Sequence, residues 1–167
     1  MVYELPMKKI DFLSAKELKP ILAFLKEHFG VEKKFDYGWY MAKERLFCIS
    51  RDVELINLAD LNVNAAGMYF GEWKNGEFRM SIDGSQIIGP LASENIVDIS
   101  DEEFVAWLRG EDLVKEVGNQ GVILMRHNKD FVGCGKVKEG KILNFVPKIR
   151  RLITAHPIRH GLEEEHT

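Results

Sequence analysis

The sequence predicts an α+β fold, with a small N-terminal α/β unit packed on a C-terminal barrel or curled sheet of short strands. Three observations predict it. A capped amphipathic run opens at Ser14. An Asn75-Gly76 turn joins two short apolar segments. After a second capped run at Ser100, apolar segments recur at short intervals between polar turns. With 167 residues and 46% apolar content, the chain can bury a core in one domain or in two small ones.

Ser14 to Phe29 reads as a helix. Ser14 is the cap, Glu17 completes a capping box, and Leu18, Ile21, Leu22, Leu25 and Phe29 recur at three and four residues. Pro20 predicts a kink or a later start, and Gly30 ends the run. Tyr37 to Met41 and Leu46 to Ser50 read as strands joined by Ala42-Lys43-Glu44-Arg45, followed after Arg51 by a short helix carrying Leu55, Leu58 and Ala59. Ala65 to Trp73 and Phe78 to Ile82 form a hairpin, because Asn75-Gly76 supplies the positive φ values that a primed turn needs. A helix runs from Ser85 toward Ile88 and stops at Gly89-Pro90. Near Asn95 a second unit begins. It comprises a strand at Ile96 to Ile99, a capping box from Ser100 to Glu103, a helix from Phe104 to Arg109 closed by Gly110, and strands at Val122 to Arg126, Phe131 to Val137 and Ile142 to Phe145. The expected division is residues 1–92, residues 93–160 and an acidic tail, 161–167.

Charge divides the chain. Residues 121–151 hold eight Lys/Arg against two Asp/Glu, a net of +6, whereas residues 1–120 hold 14 Lys/Arg against 21 Asp/Glu, a net of −7. The overall −3 therefore hides a dipolar molecule whose C-terminal part faces a polyanion, with nucleic acid the first partner to test. Cys48 and Cys134 lie far apart with no CxxC and no His at ligand spacing, which argues against a disulfide framework, a zinc site or any other metal centre. No cofactor motif is present. Charged residues through the first twenty positions, and the lack of an apolar run of about 18 residues, predict a cytoplasmic protein with no membrane partner.

The order of motifs carries a resemblance. Ile99-Ser100-Asp101-Glu102-Glu103, Arg109-Gly110-Glu111, Gly121-Val122-Ile123-Leu124, Gly133-Cys134-Gly135-Lys136-Val137 and Gly140-Lys141-Ile142-Leu143-Asn144-Phe145-Val146-Pro147-Lys148 together resemble the PUA-like RNA-binding region at the C-terminus of RsmF-type rRNA cytosine 5-methyltransferases. Gly67 to Lys74 with Phe78 is similar to the stretch that precedes that region. An α/β unit followed by a PUA barrel is also similar to the Nip-seven ribosome-assembly family. The resemblance implies a stand-alone protein that binds rRNA or tRNA and works with an RNA methyltransferase or a ribosome-assembly protein. Catalysis is not expected, since the chain shows neither a glycine-rich turn for S-adenosylmethionine nor a nucleophilic cysteine after proline.

Each candidate residue has two readings. Gly133, Gly135 and Lys136 read as a phosphate-approach loop, or as a bend that lets a strand turn a barrel corner. The resemblance places such a loop beside the RNA groove. Lys148, Arg150 and Arg151, near His156, Arg159 and His160, read as a phosphate clamp or as a solvated face. Arg126, His127 and Lys129 extend the same surface or keep a hairpin soluble, and Lys141 joins the grip. Six such contacts to single-stranded RNA would give a log–log salt slope of about −4. Tyr69, Phe70, Trp73 and Phe78 are base-stacking candidates, of which alternation makes half core residues, and Phe104 and Trp107 read as packing. Cys134 reads as a buried structural cysteine. Asp98, Asp101, Glu102, Glu103, Glu111 and Asp112 read as helix-start and surface charge rather than as an acid/base pair, and His127, His156 and His160 match no metal spacing. The expected function is non-catalytic RNA binding in rRNA or tRNA modification or ribosome assembly. The rival is a protein-interaction adaptor with little affinity for RNA.

Overall fold

The computed structural model describes residues 10–50 and 67–152. The predicted helix after Arg51, the first residues of the predicted strand at Ala65, the cluster of His156, Arg159 and His160, and the 161–167 tail lie outside the described residues.

Helix α1, Ala15–Phe29, has the predicted reciprocal cap. The Glu17 N–H donates to Ser14 Oγ at 3.2 Å and the Ser14 N–H donates to the Glu17 carboxylate at 2.7 Å. Pro20 neither delays nor ends the helix. It sits on the exposed face, where water can satisfy the carbonyl left without a donor. Ile21, Leu25 and Phe29 face a four-stranded antiparallel sheet ordered β1 (Gly38–Ala42), β2 (Arg45–Ile49), β3 (Met68–Lys74) and β4 (Glu77–Met80). Both of its tight turns use positive φ, at Lys43 (58°), and at Asn75 (53°) with Gly76 (71°). A register shift opposite Leu46 and Phe47 places Phe70 as an extra residue in β3, so Phe70 and Trp73 both reach the core side and Tyr69 takes the other face.

Helix α2, Ile82–Ile88, starts three residues before the expected Ser85, because Ser81 at the end of β4 is its cap and accepts the Gly84 N–H at 2.9 Å. Its far end tightens into a 3₁₀ turn, Gly89–Leu91, in which Pro90 is accommodated because early positions need no donor. Gly89 is required by packing. A Cβ there would stand 2.2 Å from the Phe131 ring.

The second sheet is ordered β5 (Ile96–Asp98), β7 (Gly121–His127), β8 (Asp130–Lys138), β9 (Lys141–Asn144) and β6 (Leu113–Val114). Strand β5 pairs with β7 in parallel, and the other pairings are antiparallel, giving a curled half-barrel. The two-residue β6 carries too little pattern to read from sequence. Helix α3, Asp101–Leu108, has the predicted Ser100–Glu103 capping box and covers the inside of the curl with Trp107, which is fully buried and donates its indole N–H to the Val132 carbonyl at 2.7 Å.

The two units share a core. One cluster joins Ile21, Leu25 and Phe29 of α1 and Phe70 and Phe78 of the first sheet to Val122, Leu124, Phe131 and Cys134 of the second. Polar bonds span the same seam. His28 Nε2 lies 2.5 Å from the Val122 carbonyl oxygen, and the Gly133 N–H donates to Ser85 Oγ at 2.9 Å.

Candidate nucleic-acid interface

The order of β7, β8 and β9 decides where the predicted cations go. Because the three strands form a meander, Lys129 in the β7–β8 turn and Lys138 and Lys141 beside the β8–β9 turn sit at opposite ends of β8. Eight residue steps of strand separate those ends by about 26 Å. The expected single surface is thus divided. Arg126 is committed within the fold by a bidentate pair, Nε and Nη2 to the Asp98 carboxylate at 2.6 and 2.9 Å, which raises the Arg126 pKa and lowers that of Asp98. Lys136 turns toward the other unit, with Nζ 2.8 Å from both Glu77 oxygens. Arg151 donates Nε–H to the Val146 carbonyl at 3.0 Å, and its stem packs against Gly110, where a Cβ would come within 2.2 Å.

Two cations of the expected clamp remain well exposed at one place. Past Pro147 the chain makes a 3₁₀ turn, Lys148–Arg150, that puts Lys148 in solvent and Arg150 3.3 Å from Asp83 in the first turn of α2. Arg150 and Asp83 are 50% and 42% exposed, so this pair is weak enough for Arg150 to turn to a phosphate.

Gly133 and Gly135 do not form an open loop. They lie inside β8, where two residues, Val132 and Gly133, stand opposite the single residue Met125 of β7, and Gly133 takes the bulge with φ 97°. Its N–H is already donated to Ser85, and a Cβ on Gly135 would meet Ile142, Leu143 and Trp107 within 2.8 Å. The bend reading is the one the structure supports. No backbone donor of Gly133 is left to approach a phosphate.

A notch of about 130 Å³ opens beside this turn, between the outer face of the β3–β4 hairpin and the segment after β9. Tyr69, Glu72, Arg79, Met80, Ser81, Phe145 and Pro147 line it. The Arg79 guanidinium lies 4.1 Å over the Phe145 ring, and its buried Nε has no hydrogen-bond partner among the described residues. Leaving such a donor unmade costs about 1–3 kcal/mol. Sequence reading missed Glu72, Arg79 and Phe145, since a charged pair on a hairpin and an aromatic after a strand stand far apart in the chain. Only the packing of the units brings them together.

The family model described as the Methyltransferase RsmF PUA domain matches residues 94–152, which span β5 to the Lys148–Arg150 turn. The C-terminal unit is a PUA-like domain resembling that of RsmF. This supports RNA binding in an RsmF-related setting. No curated protein matches the chain at a significant level.

Within the PUA-like domain the remaining candidates have structural roles. Trp107 is core, and Phe104 stacks on His127 at 4.1 Å while His127 Nε2 meets Asp101 at 2.6 Å. Burial raises the pKa of Glu103, but the Ser100 N–H and Lys115 outweigh it and the net shift is downward, as expected of a capping carboxylate. Asp112 accepts the Asn144 N–H at 2.8 Å and so ties the loop before β6 to β9. Burial pushes the Cys134 thiol up to about 12, which removes it as a nucleophile at neutral pH. Of the aromatics in the first sheet, Phe70 and Phe78 are fully buried and Trp73 packs edge-on to Phe24, while half-buried Tyr69 faces the notch. Among the described residues no cluster of three or more His, Cys, Asp or Glu could hold a metal, and no helix is long and apolar enough to cross a membrane.

Proposed function

We propose that the chain is a non-catalytic RNA-binding protein acting in rRNA or tRNA modification or in ribosome assembly, in trans with an RNA cytosine 5-methyltransferase. The observation that carries the reading is the PUA-like domain over residues 94–152. The match is to the RNA-binding end of a methyltransferase, which supports a place beside such an enzyme. The buried, protonated Cys134 supports a non-catalytic role. Lys148 and Arg150 are the leading phosphate contacts, because they are exposed, adjacent and only weakly engaged elsewhere. Lys129 and Lys141, at opposite ends of the meander, reach phosphates farther along a bound strand.

Binding to rRNA and tRNA is measured across about 50–300 mM salt, where counterion release is most visible. The Lys148→Ala, Arg150→Ala double variant should bind more weakly and flatten the log–log slope by about 1.4, at about 0.7 per lost contact to a single strand. Unchanged affinity and slope would remove these two residues from the interface. Failure of the wild type to bind at low salt would favour the adaptor reading.

A further inference from the structure

We propose that the notch between the two units takes one unpaired base of the bound RNA, guanine in preference to the other three. This deepens the RNA-binding reading and rests on it. Tyr69 and Phe145 give the notch aromatic walls, and Arg79, spread over Phe145, presents a planar cation with a buried, unpartnered Nε. Glu72, the cross-strand neighbour of Arg79 in the sheet register, lines the same space. Glu72 and Arg79 line the notch as one carboxylate and one guanidinium, and Arg79 Nη2 also lies 4.0 Å from Glu77, so a free phosphate gains little from Arg79 that these carboxylates do not oppose. A neutral, planar group with donors and acceptors on its edge matches both.

Size narrows the choice. About 130 Å³ is well below the roughly 300 Å³ at which pockets for whole cofactors begin, so a single ring system suits it. Chemistry narrows it further. A carboxylate offers two acceptors side by side, and guanine alone among the four bases carries two adjacent donors, N1–H and the N2 amino group, next to the O6 acceptor that a guanidinium recognises. The position also suits RNA. Pro147 walls the notch, and the next residue is Lys148, so a nucleotide whose base enters here has its phosphate within reach of Lys148 and Arg150.

The test uses the full chain. The Arg79 Nε–H resonance is followed by NMR during titration with GMP, AMP, CMP and UMP. In parallel, affinity is measured for oligouridines with and without one central guanosine, for the wild type, Phe145→Leu and Glu72→Gln. GMP should move the Arg79 signal more than the other three. One guanosine should tighten binding about tenfold, the scale of one base stacked on an aromatic ring. Phe145→Leu should remove that gain and Glu72→Gln the preference for guanine, both at an unchanged salt slope because no phosphate contact is lost. Glu72→Gln keeps the side-chain shape and covers the case in which Phe145→Leu fails to fold. A wild type that binds RNA steeply with salt, yet treats the two oligouridines alike and shows no GMP response, would overturn the notch proposal and leave the RNA reading standing. A response of Arg79 to GMP without RNA binding would overturn the RNA reading, and with it bound RNA as the source of the base. Silence in both would overturn both.

Discussion

Cys134 and Lys136, two positions apart on β8, both face the N-terminal unit, and both are committed to the fold rather than to a ligand. With its pKa raised from 9.0 to about 12 by burial, the Cys134 thiol is protonated in the folded state over a range where the unfolded chain has lost its proton. Its contribution to stability is therefore complete below about pH 9 and is lost as pH rises toward 12, by up to about 1.4 kcal/mol per pH unit. Cys134→Ala should remove this part of the alkaline fall when urea unfolding is compared at pH 8 and pH 10.5. An identical fall in both proteins would contradict it. Lys136 and Glu77 keep 33% and 26% of their side chains exposed, which limits their pair to under about 1 kcal/mol. Lys136→Met should accordingly cost little stability and leave the salt slope of RNA binding unchanged. A slope flattened as much as by Lys148→Ala would return Lys136 to the interface. Composition counted these cations correctly and said nothing of their direction, because charge is a property of residues and pairing is a property of the fold.

At the scale of elements, the joint between α2 and β8 depends on one hydroxyl. Ser85 Oγ accepts the buried Gly133 N–H at 2.9 Å and donates to the Ile82 carbonyl at 2.6 Å. Ser85→Ala strands the Gly133 donor and should cost about 1–3 kcal/mol by urea denaturation, against a few tenths for an exposed substitution such as Lys129→Ala. Equal effects would mean that water reaches the bulge. Capping signals made α1 and α3 readable, and Asn75-Gly76 made the β3–β4 turn readable, since each is written within four consecutive residues. The start of α2 falls before the expected Ser85 because Ser81, just past β4, still donates its N–H to the Phe70 carbonyl as a strand residue would while its hydroxyl caps the helix. The β8 bulge was open to two readings because glycines that bend a strand and glycines that cradle a phosphate look alike in sequence.

Across the whole molecule the PUA-like unit holds a core of its own around Trp107, Ile123, Met125 and Ile142, and a second core is shared with the first unit across the seam. Residues 94–152 produced alone would expose Val122, Leu124, Phe131 and Cys134, which in the full chain pack against α1 and the first sheet. We expect that fragment, left with its own core and a stripped seam, to unfold at a clearly lower urea concentration by circular dichroism than the full chain, which unfolds in one transition. A fragment as stable as the full chain would show that the PUA-like domain needs no partner unit.

The α+β class, the order of the main elements, the basic character of the C-terminal part and its likeness to the PUA-like end of RsmF are all legible in the chain alone, because helix caps, turn residues and motif order are local. Tertiary structure alone decided which cations remain at the surface, that Gly133 is a bulge, and that Glu72, Arg79 and Phe145 meet in one notch. Those outcomes depend on strand register and on the seam between two units, where residues as far apart in the chain as His28 and Val122, 94 positions, become neighbours.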